Sequence, residues 1–406
     1  MKAVKIRVIP NYILFIAVIA YMGYLVSCTH ENQVIEPAEV INSETDLVSV
    51  RVTTPPTLDG TIDASWENSP KLQFSTAVPE VTGDVFRGYT ANIIPSVTLR
   101  SAYDDNNIYF LAEWSDPTQS LSRQPWYFNP TTQKWAQESG SPSFSASGAI
   151  TRAPFYEDKM AMLWNVNNSV NGWNSGTCYK SCHTGLPATD GSSRHFTNFN
   201  TERIDMWHWK AVRGGANGGF QFDDQYQDNT YPNGRKNDAG ASAYADNIQS
   251  LVVTGSSPAV SVSVPKYVIP GKTNYGWILG SEITAGTAKT VTAVSATGVL
   301  TLSDDSFVDP NTGTDYQRIG SGLGTKAIPG MVITAFTGSR GDITCKSTYS
   351  NNGWVLEYQR ALKTADTEGK DVDFSGLMDQ YFGFAIFENA QIAHSIRPNL
   401  LLKFRK

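Results

Sequence analysis

The residues best suited to chemistry lie between positions 178 and 210. Cys178 and Cys182, followed directly by His183, form a C-x-x-x-C-H run. Two thiols that can add to a pair of vinyl groups, with an imidazole next in the chain to meet the iron, are what attachment of a c-type haem requires. The common spacing is C-x-x-C-H, so this run is one residue longer. Two other chemistries use the same atoms. The thiols could close a small disulfide loop beside a surface histidine, or they could bind zinc with His195. Zinc is disfavoured, because a second ligand pair at the usual spacing is missing and adjacent Cys and His crowd one metal.

A haem held by His183 needs a ligand on its other face, and Ile204 to Lys210 offers several. In a strand, alternate side chains share a face. Ile204, Met206, His208 and Lys210 then point one way, and Asp205, Trp207 and Trp209 the other. His208 leads as the distal ligand, with Met206, Lys210, Met162 and His394 as alternatives. Each has a plainer reading: His208 as a hydrogen-bonded core histidine, Met162 and Met206 as core fillers. Asp223, Asp224 and Asp228 lack the spaced oxygens of a calcium loop and read as solvated turn residues. Trp173, Trp207 and Trp209 could form a sugar platform, but their closeness to the cysteine run favours burial. No nucleophile elbow, paired metal-binding histidines or phosphate-cradling loop is present. Glu157 and Asp158 open an apparent strand with nothing tying them to catalysis, so no enzyme is expected.

These groups need a rigid frame, and the composition says it is β. Thirty-three Gly and 20 Pro, with few helical patterns, imply many turns, and 40% hydrophobic content with 10 Trp, 18 Tyr and 18 Phe can fill a sizeable core. Val48, Val50 and Val52 alternate before a Pro55-Pro56 break. Leu58 to Trp66 places a turn before a buried Trp. Val97 to Tyr103, a turn at 104–107, and Ile108 to Trp114 make a hairpin. Residues 116–150 and 168–203 read as long loops, and loops on a rigid sandwich suit a cofactor crevice. Hairpins are expected at Val291 to Leu302, turning at 296–298, and at Met331 to Phe336, followed by Gly338 to Gly341. Leu400, Leu402 and Phe404 share one face of a last strand.

The N-terminus reads as a targeting signal and stands apart from the fold. Lys2, Lys5 and Arg7 precede an apolar run from Tyr12 to Val26, shorter than the roughly 20 residues of a membrane span. The run ends Leu25-Val26-Ser27-Cys28, a bacterial lipobox pattern that makes Cys28 the lipidation site; an uncleaved signal anchor is the other reading. Export leaves Cys178, Cys182 and Cys345, an odd count that fits a disulfide framework poorly. A formal net charge of −6 argues against nucleic acid.

Taken together, L-D-G-x-I-D-x-x-W over Leu58 to Trp66, the hairpin with D-D-x-x-I-Y-F, Glu157 to Trp164 and the cysteine run resemble a known family. So do Trp207 to Arg213, Asp223 to Tyr226, Trp354 to Arg360 and Phe384 to His394. The family is the haem-binding domain related to the ethylbenzene dehydrogenase γ subunit, also described as cytochrome c-552/dimethyl sulfoxide reductase-like. The resemblance covers residues 49–250 and 352–404. It implies a mainly β fold, a β-sandwich like that of family-nine carbohydrate-binding modules. In the ethylbenzene dehydrogenase subunit Met and Lys serve as ligands, which keeps Lys210 under consideration. Some members hold haem b without thioethers.

The expected organisation is a lipoprotein signal peptide at 1–27, a tether at 28–48, a haem-binding sandwich at 49–253, a β-rich insertion at 254–351 and the last sandwich strands at 352–406. The expected function is electron transfer by a c-type haem protein, lipid-anchored to the bacterial cell envelope and facing the periplasm or the outside. A molybdenum oxidoreductase or a quinone-linked chain is the partner that the family resemblance implies. The alternatives are a non-covalent haem b subunit of a molybdenum oxidoreductase, and a carbohydrate-binding lipoprotein without haem.

Overall fold

A computed structural model describes residues 43–79, 96–147, 149–182, 195–214, 221–230, 233–273, 276–320 and 322–406. The signal peptide with Cys28, most of the tether, and His183 lie outside the described residues.

Alternating apolar side chains build twelve strands that join in one sheet. In chain order they are β1 (Asp46–Arg51), β2 (Leu72–Ser75), β3 (Ser96–Tyr103), β4 (Asn107–Ser115), β5 (Lys159–Asn165), β6 (Ile204–Lys210), β7 (Asp223–Gln227), β8 (Arg235–Asn237), β9 (Thr344–Ser350), β10 (Gly353–Ala361), β11 (Gln380–Phe387) and β12 (Ser395–Arg405). Across the sheet the order is β8-β7-β6-β5-β11-β12-β1-β3-β4-β10-β9, with β2 beside the first half of β3. β1 is the junction, running parallel to both β12 and β3. The expected hairpin is β3 and β4, with Val97 opposite Trp114 and Tyr103 opposite Ile108.

The sheet folds over on itself. Phe110 on β4 lies 5.7 Å from Trp207 on β6 and 6.2 Å from Trp164 on β5, although several strands separate them in the sheet. Trp114 meets Trp209 at 5.6 Å, and the Tyr358 hydroxyl reaches Met162 Sδ at 3.0 Å. Such ring pairs add about 0.5–1.5 kcal/mol each beyond the area they bury. The result is a mainly β sandwich whose inner faces share one aromatic core.

Several local expectations differ from the structure. β1 begins at Asp46, so the end of the expected tether is sheet. Residues 116–150 are not simply loop. Trp126–Asn129 pairs with Lys134–Gln137, and Trp126, Phe128 and Trp135 pack with Val264, Val291 and Leu300 in a second core. Pro, Ser and Gln around them mask this aromatic alternation. Val291 to Leu302 does form a hairpin. Met331–Ile333 does not. It pairs antiparallel with Tyr244–Asp246 and parallel with Ile278–Leu279, while Gly338–Gly341 is a 3-10 turn. Thr344–Ser350, inside the range expected for the insertion, is edge strand β9 of the main sheet. Asp223 and Asp224 are buried strand residues rather than solvated turn residues, and Asp228 is buried just beyond the strand.

Candidate functional site

β6 sorts its side chains as the sequence period requires. Trp207 and Trp209 enter the sandwich core, and Ile204 and Met206 join a second cluster on the outer face. His208 and Lys210 share that outer side by alternation. The neighbouring strands align three rows there. Gly383, Leu163 and Met206 stand side by side, then Ala385, Ala161 and His208, then Phe387, Lys159 and Lys210. Ala161 is the neighbour of His208 on β5, with Ala385 beyond it on β11.

The cysteine turn closes over the first row. Gly172 takes a left-handed conformation (φ 70°) where the turn begins. The Trp173 indole N–H donates to the Tyr381 carbonyl at 2.8 Å, and the Asn399 N–H donates to the Thr177 hydroxyl at 3.0 Å. The Cys182 N–H donates to the Cys178 carbonyl at 2.9 Å. That closes one helical turn, and residues four apart on such a turn share a side. The longer C-x-x-x-C spacing therefore still presents both thiols together. Cys178 Sγ fills the space where a Cβ on residue 383 would stand, so only Gly383 admits it. The Gln227 amide donates to Cys182 Sγ at 3.4 Å and to Met206 Sδ at 3.7 Å.

Both thiols, and that of Cys345, are free in the structure. Burial pushes the Cys178 thiol up to about 12 and raises Cys182 as well, so both stay protonated. Zinc takes the thiolate. Among the described residues, Cys178, Cys182 and His195 do not gather at metal-ligating distance.

His208 is only 4% exposed, and neither ring nitrogen has a hydrogen-bond partner. Burial first, then the cations Lys210 and Lys159, hold its pKa well below the ordinary histidine range. The ring is neutral, the form that binds a metal. Phe387 lies between it and His394, with ring centroids 5.6 Å from His208 and 4.5 Å from His394.

The other candidates divide by face. Met206 shares the site. Met162 lies on the opposite side of the sheet, in the aromatic core, because it occupies an inward position of β5. Lys210 is on the right face but forms an ion pair with Asp223, which Arg340 Nε also reaches at 2.7 Å. Burial pulls the Lys210 amine below the ordinary lysine range, while Asp223 holds it up. His394 stands one ring away, its Nδ1 2.6 Å from the Ile392 carbonyl. Trp173, Trp207 and Trp209 are all buried and present no platform.

Sequence reasoning missed Lys159. It is 2% exposed, its Nζ donates to the Gln391 carbonyl at 3.0 Å, and it lies 4.1 Å over the Phe387 ring. Burial holds its amine well below the ordinary range. Its alternation with Ala161 and Leu163 is the signal that could have found it.

The donor set fits a haem. A buried neutral imidazole with both nitrogens unpartnered, a thioether and two thiols stand on one sheet face. The thiols of a c-type site bond the macrocycle's edge, so they need not converge with the iron ligand.

No curated protein matches the chain. Among solved structures it is similar to a carbohydrate binding module family 9 (CBM9) from Caldicellulosiruptor kristjanssonii in complex with glucose, at 11% identity over 89% of this chain and 95% of that one, with a TM-score of 0.27. A family 9 module from the same organism in complex with cellotriose gives 10% identity over 89% and 93%, with a TM-score of 0.26. A family model described as ethylbenzene dehydrogenase matches residues 63–398. The protein therefore belongs to the ethylbenzene dehydrogenase family, which associates it with an oxidoreductase system and its redox cofactors.

Proposed function

We propose that this protein is a haem-binding electron-transfer subunit, exported as a lipoprotein through Cys28, and an electron carrier rather than an enzyme. The observation that carries the reading is the His208 imidazole, buried with both nitrogens unpartnered, on the sheet face that also holds Met206, Cys178 and Cys182. A buried polar group without a partner costs about 1–3 kcal/mol, so an acceptor for its lone pair is the economical explanation. Haem iron supplies one-electron oxidation and reduction when bound.

In this reading Cys178 and Cys182 are the attachment points and His183 the proximal ligand. His208 is the distal ligand, with Met206 the nearest alternative on its strand. The chain's own part is positional. β6 fixes the imidazole, and the closed cysteine turn shields that face from water. A molybdenum oxidoreductase or a quinone-linked chain is the partner proposed, by analogy with the family, and the lipid anchor would keep the protein at the membrane. A non-covalent haem b would use the same imidazole and leave the thiols structural.

An alkaline pyridine haemochrome, before and after acid-acetone extraction, tests this on mature protein made in a host competent for c-type maturation. Haem that stays with the polypeptide is the expected result. Haem that extracts moves the protein to the b type. A folded protein that takes up no haem overturns the proposal.

A further inference from the structure

On the opposite side of β6 and β7 from the imidazole lies a second cluster. Asp224 of β7, Asp238 just after β8, and Asp371 in the loop between β10 and β11 each bring a carboxylate oxygen within 4.8 Å of the other two. All three are buried. Acidic side chains often gather on surfaces without purpose. What distinguishes these is the state of their oxygens. Asp224 Oδ1 accepts from the Gln225 N–H at 3.0 Å, and Asp371 Oδ2 accepts from the Thr364 hydroxyl at 2.6 Å. Asp224 Oδ2, Asp371 Oδ1 and both oxygens of Asp238 have no hydrogen-bond partner. Asp238 decides the matter, being only 4% exposed, with a carboxylate oxygen in the cluster and neither oxygen hydrogen-bonded.

The surroundings offset only part of this charge: Arg360 acts electrostatically on Asp224 and Asp371, and Lys370 on Asp238 and Asp371. Asp205 and Asp342 are further carboxylates near by, each with one unpartnered oxygen, and both act on Asp224 electrostatically. Arg360 is the buried cation, and its Nη1 is committed to Asp205 Oδ2 at 2.8 Å, where the Val372 N–H also donates at 2.9 Å. Lys370 is paired with Glu368. Burial and mutual repulsion drive Asp224 well above the ordinary carboxylate range and Asp238 up to about 8.

Oxygen-only donors select a hard cation. Calcium takes six to eight oxygens at about 2.3–2.6 Å, so two oxygens on one ion lie up to about 5 Å apart. Magnesium is smaller and keeps several waters, which suits a buried cluster less well. We propose that Asp224, Asp238 and Asp371 bind one divalent cation of the calcium class, pinning the β10–β11 loop to β7 and β8. The site stands apart from the His208 face and does not depend on the haem reading.

The test uses the full mature chain, stripped with EGTA and then given calcium chloride or magnesium chloride at about 1 mM, within the range of extracellular calcium modules. Calcium is expected to raise the melting temperature saturably and to remain at one ion per chain after gel filtration, with magnesium much weaker. Asp238→Asn should lose that increment, because it replaces a carboxylate ligand with a neutral amide. Asp371→Asn should also lose the increment, and it gives the same reading if the first variant does not fold. A wild-type melting temperature indifferent to calcium overturns the proposal, as does an increment that both variants retain.

Discussion

At the scale of single residues, the central fact is an imidazole without a partner. Core histidines are normally satisfied, since each unpaired buried polar group costs about 1–3 kcal/mol. His208 has two such nitrogens, and its neutral ring is held by burial and by the cations around it. The expectation for His208→Ala follows. Haem content should persist, because Cys178 and Cys182 are untouched, while the low-spin absorption spectrum should give way to a high-spin one. An unchanged low-spin spectrum would remove His208 as the distal ligand and leave Met206 as the candidate on the same strand.

At the scale of elements, the site depends on how the cysteine turn seats on β11. Cys178 Sγ occupies the space above Gly383, and Asn399 of β12 holds Thr177 from the next strand. Gly383→Ala should lift the turn, with an overpacking cost of about 1–3 kcal/mol. Thiol labelling of haem-free protein is the sensitive measure, since burial keeps Cys178 protonated and slow to react in the wild type. The variant should label markedly faster than wild type. Equal rates would mean that the turn is not seated as described.

At the scale of the whole molecule, buried acids make stability depend on pH. Asp116 just after β4, Asp158 just before β5 and Glu388 just after β11 come together. Asp158 accepts from the Ser120 N–H at 2.7 Å and the Asn389 N–H at 3.0 Å, so this trio differs from the unpartnered one around Asp238. Burial first, then neighbouring carboxylates, raises Asp158 to about 8 and Glu388 to about 9. The unfolded chain releases these protons near pH 4. The folded chain therefore holds more protons between about pH 4 and 8, and stability falls as pH rises through that window. His208 and the buried Lys159, whose pKa values are lowered, work the other way, but the raised carboxylates, Asp224 and Asp238 among them, outnumber them. Thermal melts in EGTA should show the melting temperature dropping from pH 5 to pH 7, with a shallower slope for Asp116→Asn. A flat or rising profile would contradict the sharing of protons by these acids.

What the sequence determined by itself was local and periodic. The faces of residues 204–210, the β3–β4 hairpin and the buried Trp66 follow from side-chain alternation and turn chemistry, which act over a few residues. The motifs carried the family as well, because they recur at spacings that the chain itself displays. What only the tertiary structure decided involves partners far apart in sequence. Met162 reads like any other candidate ligand until strand pairing puts it on the inner side of β5. Trp126 and Phe128 look like loop until a distant strand pair gives them a core. Asp224, Asp238 and Asp371 carry no spaced motif, since a fold across β7, β8 and the β10–β11 loop is what brings their oxygens together. Alternation fixes which way a side chain points, but only the closing of the sheet fixes what it meets.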